Sequence, residues 1–254
     1  MSDFASAFGL ADHHALITGG GSGLGLAIAK CFVAAGARVT LVGTNQEKLS
    51  AACEGLGAAA SYDVHDVTRF ADADGFADRI RHRLGPVSIL VNNAGTTIKK
   101  PIPDMAFAEF QSVMDVHVGG AFAMSRAFSP QVAEMQGSIL FTASMSSFLG
   151  IPDIIGYATA KSAYVGMVRS MAAELAPQGI RVNGVAPGWI DTSLFREATA
   201  RDPARRARIE ARIPMRRLGR GSDVGWAMTY LASAAAGYVT GHILVVDGGA
   251  LHAF

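Results

Sequence analysis

The sequence predicts a doubly wound α/β fold, a parallel sheet with helices on both faces. Three observations predict it. Short β-rich runs alternate with longer helical stretches, the strand runs are continuously apolar, and glycines crowd the turn after the first run. A strand covered on both faces has no polar side to show, so an unbroken apolar run suits a parallel sheet. Strand–helix alternation is the pattern that places helices on both of its faces.

Taken in order, Ala15–Thr18 reads as a strand and Leu24–Ala35 as a helix. Arg38–Val42 is the next strand, and Ser88–Val91 another, followed after a loop by a helix around Phe107–Phe128. Ser138–Thr142 precedes a helix near Tyr157–Leu175, Arg181–Val185 is a further strand, and Ile243–Val246 closes the sheet. No repeat, low-complexity linker or change of composition divides the chain, so residues 1–254 read as a single domain, with a segment of about 193–220 set apart below.

Composition narrows the function. Of 254 residues half are apolar, and 22 basic residues nearly balance 21 acidic ones. A net charge of +1 argues against a nucleic-acid binder that works by charge, and the apolar content argues against disorder. Cys31 and Cys53 are too few for a disulfide scaffold or a zinc site and read as reduced thiols of a cytoplasmic protein. The N-terminal stretch lacks the basic start and apolar run of a secretory signal. The uncharged stretch between Asp223 and Asp247 is broken by Gly225, Ser233, Gly237, Thr240, Gly241 and His242. It reads as a buried helix near Val224–Leu231, a turn and a core strand rather than a membrane span.

The first functional signal is Leu16–Gly25, LITGGGSGLG. Glycine takes positive φ and lets a backbone approach a ligand closely. A helix starting behind such a turn offers free N–H groups to a pyrophosphate. After the first strand of a Rossmann-like pattern, this turn reads as a dinucleotide cradle. The second strand is followed by Gly43, Thr44 and Asn45, with no acid to accept from a ribose 2′-hydroxyl and no Arg to grip a 2′-phosphate. The cofactor is therefore NADP or NAD, with the lean towards NADP because nothing repels the phosphate.

The second signal is Tyr157 and Lys161 in YATAK, four residues apart and so on one helix face. An ammonium near a phenol favours the phenolate, which would bring tyrosine from about 10 towards the neutral range where a general acid/base works. Ser144 stands at the end of the ILFTAS strand, where its hydroxyl could bond a substrate carbonyl oxygen.

Together with Asp66-Val67, Asn92-Asn-Ala-Gly95, Pro187-Gly188 with Thr192 and Val246-Asp-Gly-Gly249, these motifs resemble the short-chain dehydrogenase/reductase family over essentially the whole chain. The resemblance implies a nicotinamide cofactor and hydride transfer between an alcohol and a carbonyl. It implies that Gly19, Ser22, Gly23, Leu24 and Gly25 hold the pyrophosphate and Thr44 and Asn45 the adenosine ribose. Asp66 and Val67 would meet the adenine, and Asn93, Ala94 and Gly95 the ribose beside it. Pro187, Gly188, Ile190 and Thr192 would hold the carboxamide. Tyr157 would be the acid/base, Lys161 would also bond the nicotinamide ribose, and Ser144 would orient the reacting oxygen. Asp63, His65, Asp66 and Asp72 then read as turn and adenine-site residues, and no metal is expected.

One position departs from the family pattern. Where members commonly carry Asn in a stretch like V-N-x-x-G, this chain reads Asp115-Val-His-Val-Gly-Gly120. His117 is either a relay that makes the rate pH-sensitive between roughly pH 6 and 8, or a packed helix histidine.

The segment 193–220 would cover the substrate. It carries Arg196, Arg201, Arg205, Arg206, Arg208, Arg212, Arg216, Arg217 and Arg220 against Glu197, Asp202 and Glu210. Asp202-Pro203 reads as a helix start, with Arg201, Arg205, Arg208 and Arg212 along one face and Arg206 paired to Glu210. That face is either solvated or a subunit contact, or it reads an anionic substrate, with Lys99 and Lys100 in support. Wording such as NNAGTTIKKP and IEARIPMRRLG resembles the branch that oxidises sugar acids and polyols, such as gluconate 5-dehydrogenase and 2-deoxygluconate 3-dehydrogenase. The alternative is a 3-oxoacyl carrier-protein reductase, for which the basic segment would dock an acidic carrier protein. A remoter one is a cofactor-binding protein without catalysis. Small and apolar residues through Val224–Gly249 suggest burial between subunits, and the resemblance implies a homotetramer, with a dimer as the alternative.

Overall fold

The computed structural model describes residues 4–192, 195–197, 200 and 202–252. Its seven-stranded sheet has the order β3-β2-β1-β4-β5-β6-β7. The strands are β1 (His14–Thr18), β2 (Arg38–Gly43), β3 (Ala60–Val64), β4 (Ile89–Asn92), β5 (Ser138–Thr142), β6 (Arg181–Pro187) and β7 (Ile243–Val246). Every neighbouring pair is parallel, as in Ile17 opposite both Leu41 and Val91. β3 escaped the sequence reading because Ala60–Val64 mixes polar and apolar residues and is only partly buried.

The unbroken apolar runs divide by alternation. In β1, Leu16 faces one layer while Ala15 and Ile17 face the other. In β5, Ile139 and Phe141 oppose Leu140 in the same way. The first layer is closed by α4 (Ala73–Leu84), α6 (Gly120–Glu134) and α7 (Ile155–Leu175), through Phe76, Ile80, Met124, Phe128 and Val168. The second is closed by α2 (Gly23–Ala34), α3 (Gln46–Leu56) and, beyond β6, α9 (Gly221–Ala232), through Ile28, Phe32, Leu49, Val224 and Met228. Each fully buried Leu, Ile or Phe contributes roughly 1.5–3 kcal/mol, so a strand covered on both faces gains about twice what a half-exposed one does.

Local sequence sets the ends. Asn45 caps α3 by accepting from the Lys48 N–H at 2.8 Å. Gly57 and Gly85 end α3 and α4 with φ of +76° and +84°, where a side chain would be strained. A short α1 (Phe4–Phe8) precedes the sheet, and α8 (Pro203–Arg212) begins where Asp202-Pro203 predicts. The expected helix over Phe107–Phe128 is two helices: α5 (Phe107–Met114) and α6, joined by a wide π-helical turn at Asp115–Gly119. Apolar periodicity does not register one extra residue per turn, so the sequence shows a single helix there.

Among the described residues no helix is long and apolar enough to cross a membrane. The uncharged stretch is the helix α9, a turn and β7. Of the arginine face, Arg201 lies outside the described residues, as does the Arg205 side chain.

Candidate active site

The candidate site lies along the ends of β1, β4, β5 and β6, where the sheet order jumps from β1 to β4. Such a switch point opens a crevice between connections that leave in opposite directions. Thr18 fastens it. Its hydroxyl accepts from the backbone N–H groups of Asn93 (2.9 Å) and Ala94 (3.0 Å) and donates to the Val91 carbonyl (3.2 Å). The Asn93 amide donates to the carbonyls of Thr18 (3.0 Å) and Gly19 (3.3 Å), and its oxygen accepts from the Thr142 hydroxyl at 3.1 Å. Three strand exits are thereby tied together. The sequence reading placed Thr18 in the glycine-rich motif and Thr142 at a strand end, and gave neither this bonding role, which joins residues far apart in sequence.

The glycine turn fits a dinucleotide phosphate. Gly19 has φ of +64°, and a Cβ on Gly25 would stand 2.3 Å from the Gly19 carbonyl oxygen, so neither accepts a side chain. At Gly23, with φ of +54°, an added Cβ meets nothing, so that side of the turn is open. Ser22 is extended and its side chain does not cap α2, which leaves the first-turn N–H groups free for a ligand. Leu24 packs into the α2 layer behind them.

Just past β2, Thr44 is exposed, whereas the Asn45 side-chain oxygen is held by its capping bond. Asp66 accepts from the Thr68 N–H (2.9 Å) and hydroxyl (2.8 Å), and the Thr68 N–H above all keeps its carboxyl below the usual range. Thr44, His65, Asp66, Arg69, Phe76 and Arg79 line a cavity of about 560 Å³. Val67 is buried with Gly120 against it, and a Cβ on Gly120 would stand 2.7 Å from its Cγ2.

The Ser–Tyr–Lys group comes from β5 and α7. Ser144 follows β5 with extended backbone, and its hydroxyl accepts from the Ser146 N–H at 3.1 Å. Tyr157 is half-buried, within hydrogen-bond reach of the Ser144 hydroxyl. Lys161 is buried, its Nζ donating to the Thr142 carbonyl at 2.5 Å and standing 5.6 Å from the Tyr157 ring centre and 4.7 Å from that of Tyr164.

The electrostatics correct the expected depression of the phenol by lysine. Burial pushes Tyr157 upward, and the opposing pull comes from the Ser144 bond. Burial also lowers Lys161 to about 7, because an ammonium loses its water there and gains one short bond to a carbonyl. In this environment the phenol is a proton donor, and the lysine titrates near neutrality.

At the other end, β6 stops at Pro187 and the Gly188 N–H bonds the Val246 carbonyl at 3.0 Å. A Cβ on Gly188 would stand 2.6 Å from the Asp247 Cβ, so that contact requires glycine. Ile190 is buried and bridges to Gly219. The Thr192 N–H bonds the Ile190 carbonyl at 2.9 Å, and its hydroxyl accepts from the Phe195 N–H at 3.2 Å. Beside them the Arg212 guanidinium stands over the Trp189 ring at 5.9 Å. Arg206 pairs with Glu210 (2.9 Å), Arg217 with Asp223 (3.1 Å) and Lys100 with Glu109 (2.5 Å), so these cations are locally engaged.

His117 sits in the π turn with 1% of its surface exposed. Burial first, and the Lys161 charge second, lower it to about 3. It therefore stays neutral from pH 6 to 8, so its own titration does not make the rate pH-sensitive there, and its ring is packed within a wide turn.

Comparisons with known proteins agree with this fold. A short-chain dehydrogenase model described as enoyl-(acyl carrier protein) reductase matches residues 19–251. Galactitol 2-dehydrogenase (L-tagatose-forming) of Cereibacter sphaeroides is 39% identical over 97% of this chain and 98% of its own. A 3-oxoacyl-[acyl-carrier-protein] reductase of Escherichia coli K12 is 35% identical over 92% and 96%. The crystal structure of a gluconate 5-dehydrogenase from Burkholderia cenocepacia, in complex with NADP and tartrate, superposes with a TM-score of 0.94 at 32% identity, covering 99% of this chain and all of that one. The chain belongs to the short-chain dehydrogenase/reductase family. It is an oxidoreductase of CH–OH groups built on a Rossmann-like sheet.

Proposed function

We propose that the chain interconverts a secondary alcohol and a ketone on a sugar, polyol or sugar acid, with NADP ahead of NAD. Ser144, Tyr157 and Lys161 carry the reaction, and the observation that supports them is their meeting at the end of β5 beside the glycine turn. When bound, the nicotinamide supplies or accepts the hydride. Tyr157 gives its proton to the carbonyl oxygen on reduction and recovers it on oxidation. Ser144 would hold that oxygen and, through its bond to the phenol, favours the deprotonated form as oxidation begins, and Lys161 would bond the nicotinamide ribose. Gly19, Ser22, Gly23, Leu24 and Gly25 would hold the pyrophosphate, Thr44 and Asn45 the adenosine ribose, Asp66 and Val67 the adenine, and Asn93, Ala94 and Gly95 the ribose beside it. Pro187, Gly188, Ile190 and Thr192 would take the carboxamide.

Galactitol 2-dehydrogenase and the tartrate-bound gluconate 5-dehydrogenase favour a polyhydroxylated substrate. Arg212, placed over Trp189 next to Gly188, is the arginine suited to an anionic one. The chain works as one domain, with about 193–220 as its substrate cover, in the cytoplasm and as a homotetramer. Supporting the assembly, β7 is an edge strand whose apolar residues are only half-buried, and Trp226 is 51% exposed on α9. A second reading, 3-oxoacyl carrier-protein reductase, is favoured by the Escherichia coli relative and by the arginines exposed on α8.

The deciding experiment is a turnover screen of galactitol, gluconate and related polyols against acetoacetyl thioesters, each with NADP and NAD. Polyol or aldonate turnover with NADP is expected, and turnover of thioesters alone would move the assignment to the second reading. Tyr157→Phe should lower kcat by at least about a hundredfold, the scale of a lost general acid/base. NADP affinity should stay within about twofold, since less than about 0.4 kcal/mol of binding is involved. Substantial turnover in that variant would remove Tyr157 from its role.

A further inference from the structure

The chemistry above leaves His117 and Tyr164 idle, although both stand against its centre. The His117 Nε2 is 3.0 Å from the Thr96 N–H and 2.7 Å from the Thr96 carbonyl oxygen. The ring is edge-on to Tyr157, 5.6 Å between centres with planes at 85°. Its own carbonyl accepts the Tyr164 hydroxyl at 3.1 Å. Tyr157 and Tyr164 are seven residues apart and so share a face of α7.

Gly95 makes room for this contact, since a Cβ there would stand 2.3 Å from the His117 Cε1. Nδ1 is buried with no partner, so ring placement is favoured here over full satisfaction of the imidazole. The wide turn at Asp115–Gly119 carries this ring between the loop and the helix.

We propose that His117 is a positioning residue that couples the 93–96 loop to the reactive tyrosine. One side of the ring fastens Thr96 on the nucleotide side, and the other is a wall that fixes the Tyr157 ring. Tyr164 holds the His117 backbone to the helix that carries Tyr157. A displacement of the loop by the nucleotide is thus passed to the phenol ring through this side chain, beside the separate link from Asn93 through Thr142 to Lys161.

The inference rests on the dehydrogenase reading, and variants divide its two halves. His117→Phe keeps the aromatic wall and loses the Thr96 bond, which Nε2 makes either by accepting from the N–H or by donating to the carbonyl. His117→Gln keeps a polar group near the Nε2 position and loses the wall. NADP affinity is read by quenching of tryptophan fluorescence, and kcat is read on the best substrate of the screen. For His117→Phe the NADP Kd should rise about tenfold with kcat within about twofold, the scale of a lost hydrogen bond. For His117→Gln kcat should fall about tenfold with Kd within about twofold, the scale of a lost edge-on aromatic contact. Tyr164→Phe, which removes one hydroxyl and keeps the packing, should lower kcat about threefold at unchanged Kd.

Parallel changes of Kd and kcat in the two His117 variants would overturn the coupling, as would wild-type kcat in Tyr164→Phe. Should a His117 variant not fold, Tyr164→Phe decides alone. Absence of turnover in the wild type defeats the dehydrogenase reading instead, and equal NADP affinities of His117→Phe and His117→Gln would then still overturn the proposal.

Discussion

A buried histidine that is neutral in the fold and charged in the open chain ties stability to pH. His117 titrates near 3 when folded and near 6.5 when unfolded. Between those values the unfolded state binds the extra proton, so stability falls as pH falls through that window. The slope from this one group is up to about 1.4 kcal/mol per pH unit. His13, His14 and His65 are lowered in the same direction, chiefly by burial, and add to the trend. Denaturant unfolding at pH 7 and pH 5 should show wild type losing more stability than His117→Gln. Equal losses would mean that the imidazole is not kept neutral. The sequence displayed His117 as a departure from pattern but not its burial, and burial is what removes its titration from the neutral range.

Helix pairing shows the same dependence on small residues. α9 crosses α2 where Gly221 meets Ala27 and Gly225 meets Cys31; a Cβ on Gly225 would stand 2.5 Å from the Cys31 sulfur and 3.0 Å from the Ala27 carbonyl oxygen. Gly225→Val should therefore cost about 1–3 kcal/mol through overpacking. Gly55→Ala on α3, where the added carbon meets nothing, should gain roughly 0.5–1 kcal/mol by easing the helix. Thermal melts of the two variants test the contrast, and a stable Gly225→Val protein would refute the close crossing. The strands of the interior were legible because their apolar runs are unbroken. β3 was not, because a half-buried edge strand need not be apolar. Of the site, the motifs exposed Ser144, Tyr157, Lys161 and the glycine turn. The hydrogen bonds of Thr18, Asn93 and Thr142 that hold those motifs in place join residues far apart in sequence and leave no local pattern.

For the whole molecule, the half-covered β7 and the exposed Trp226 form the surface on which the proposed tetramer depends. Sedimentation velocity should find four chains together, and Trp226→Glu should shift the population to smaller species, because a carboxylate in an apolar contact loses its water without a partner. A wild type sedimenting as a single chain would contradict that assembly. The sheet order bears on a different matter, the timing of synthesis. β1 emerges first of all the strands yet lies between β2 and β4, so Ile17 gains its partner Leu41 early and waits for Val91. The crevice beside the glycine turn, whose Thr18 hydroxyl is held by Asn93 and Ala94, cannot close on a nascent chain until those later residues have left the ribosome.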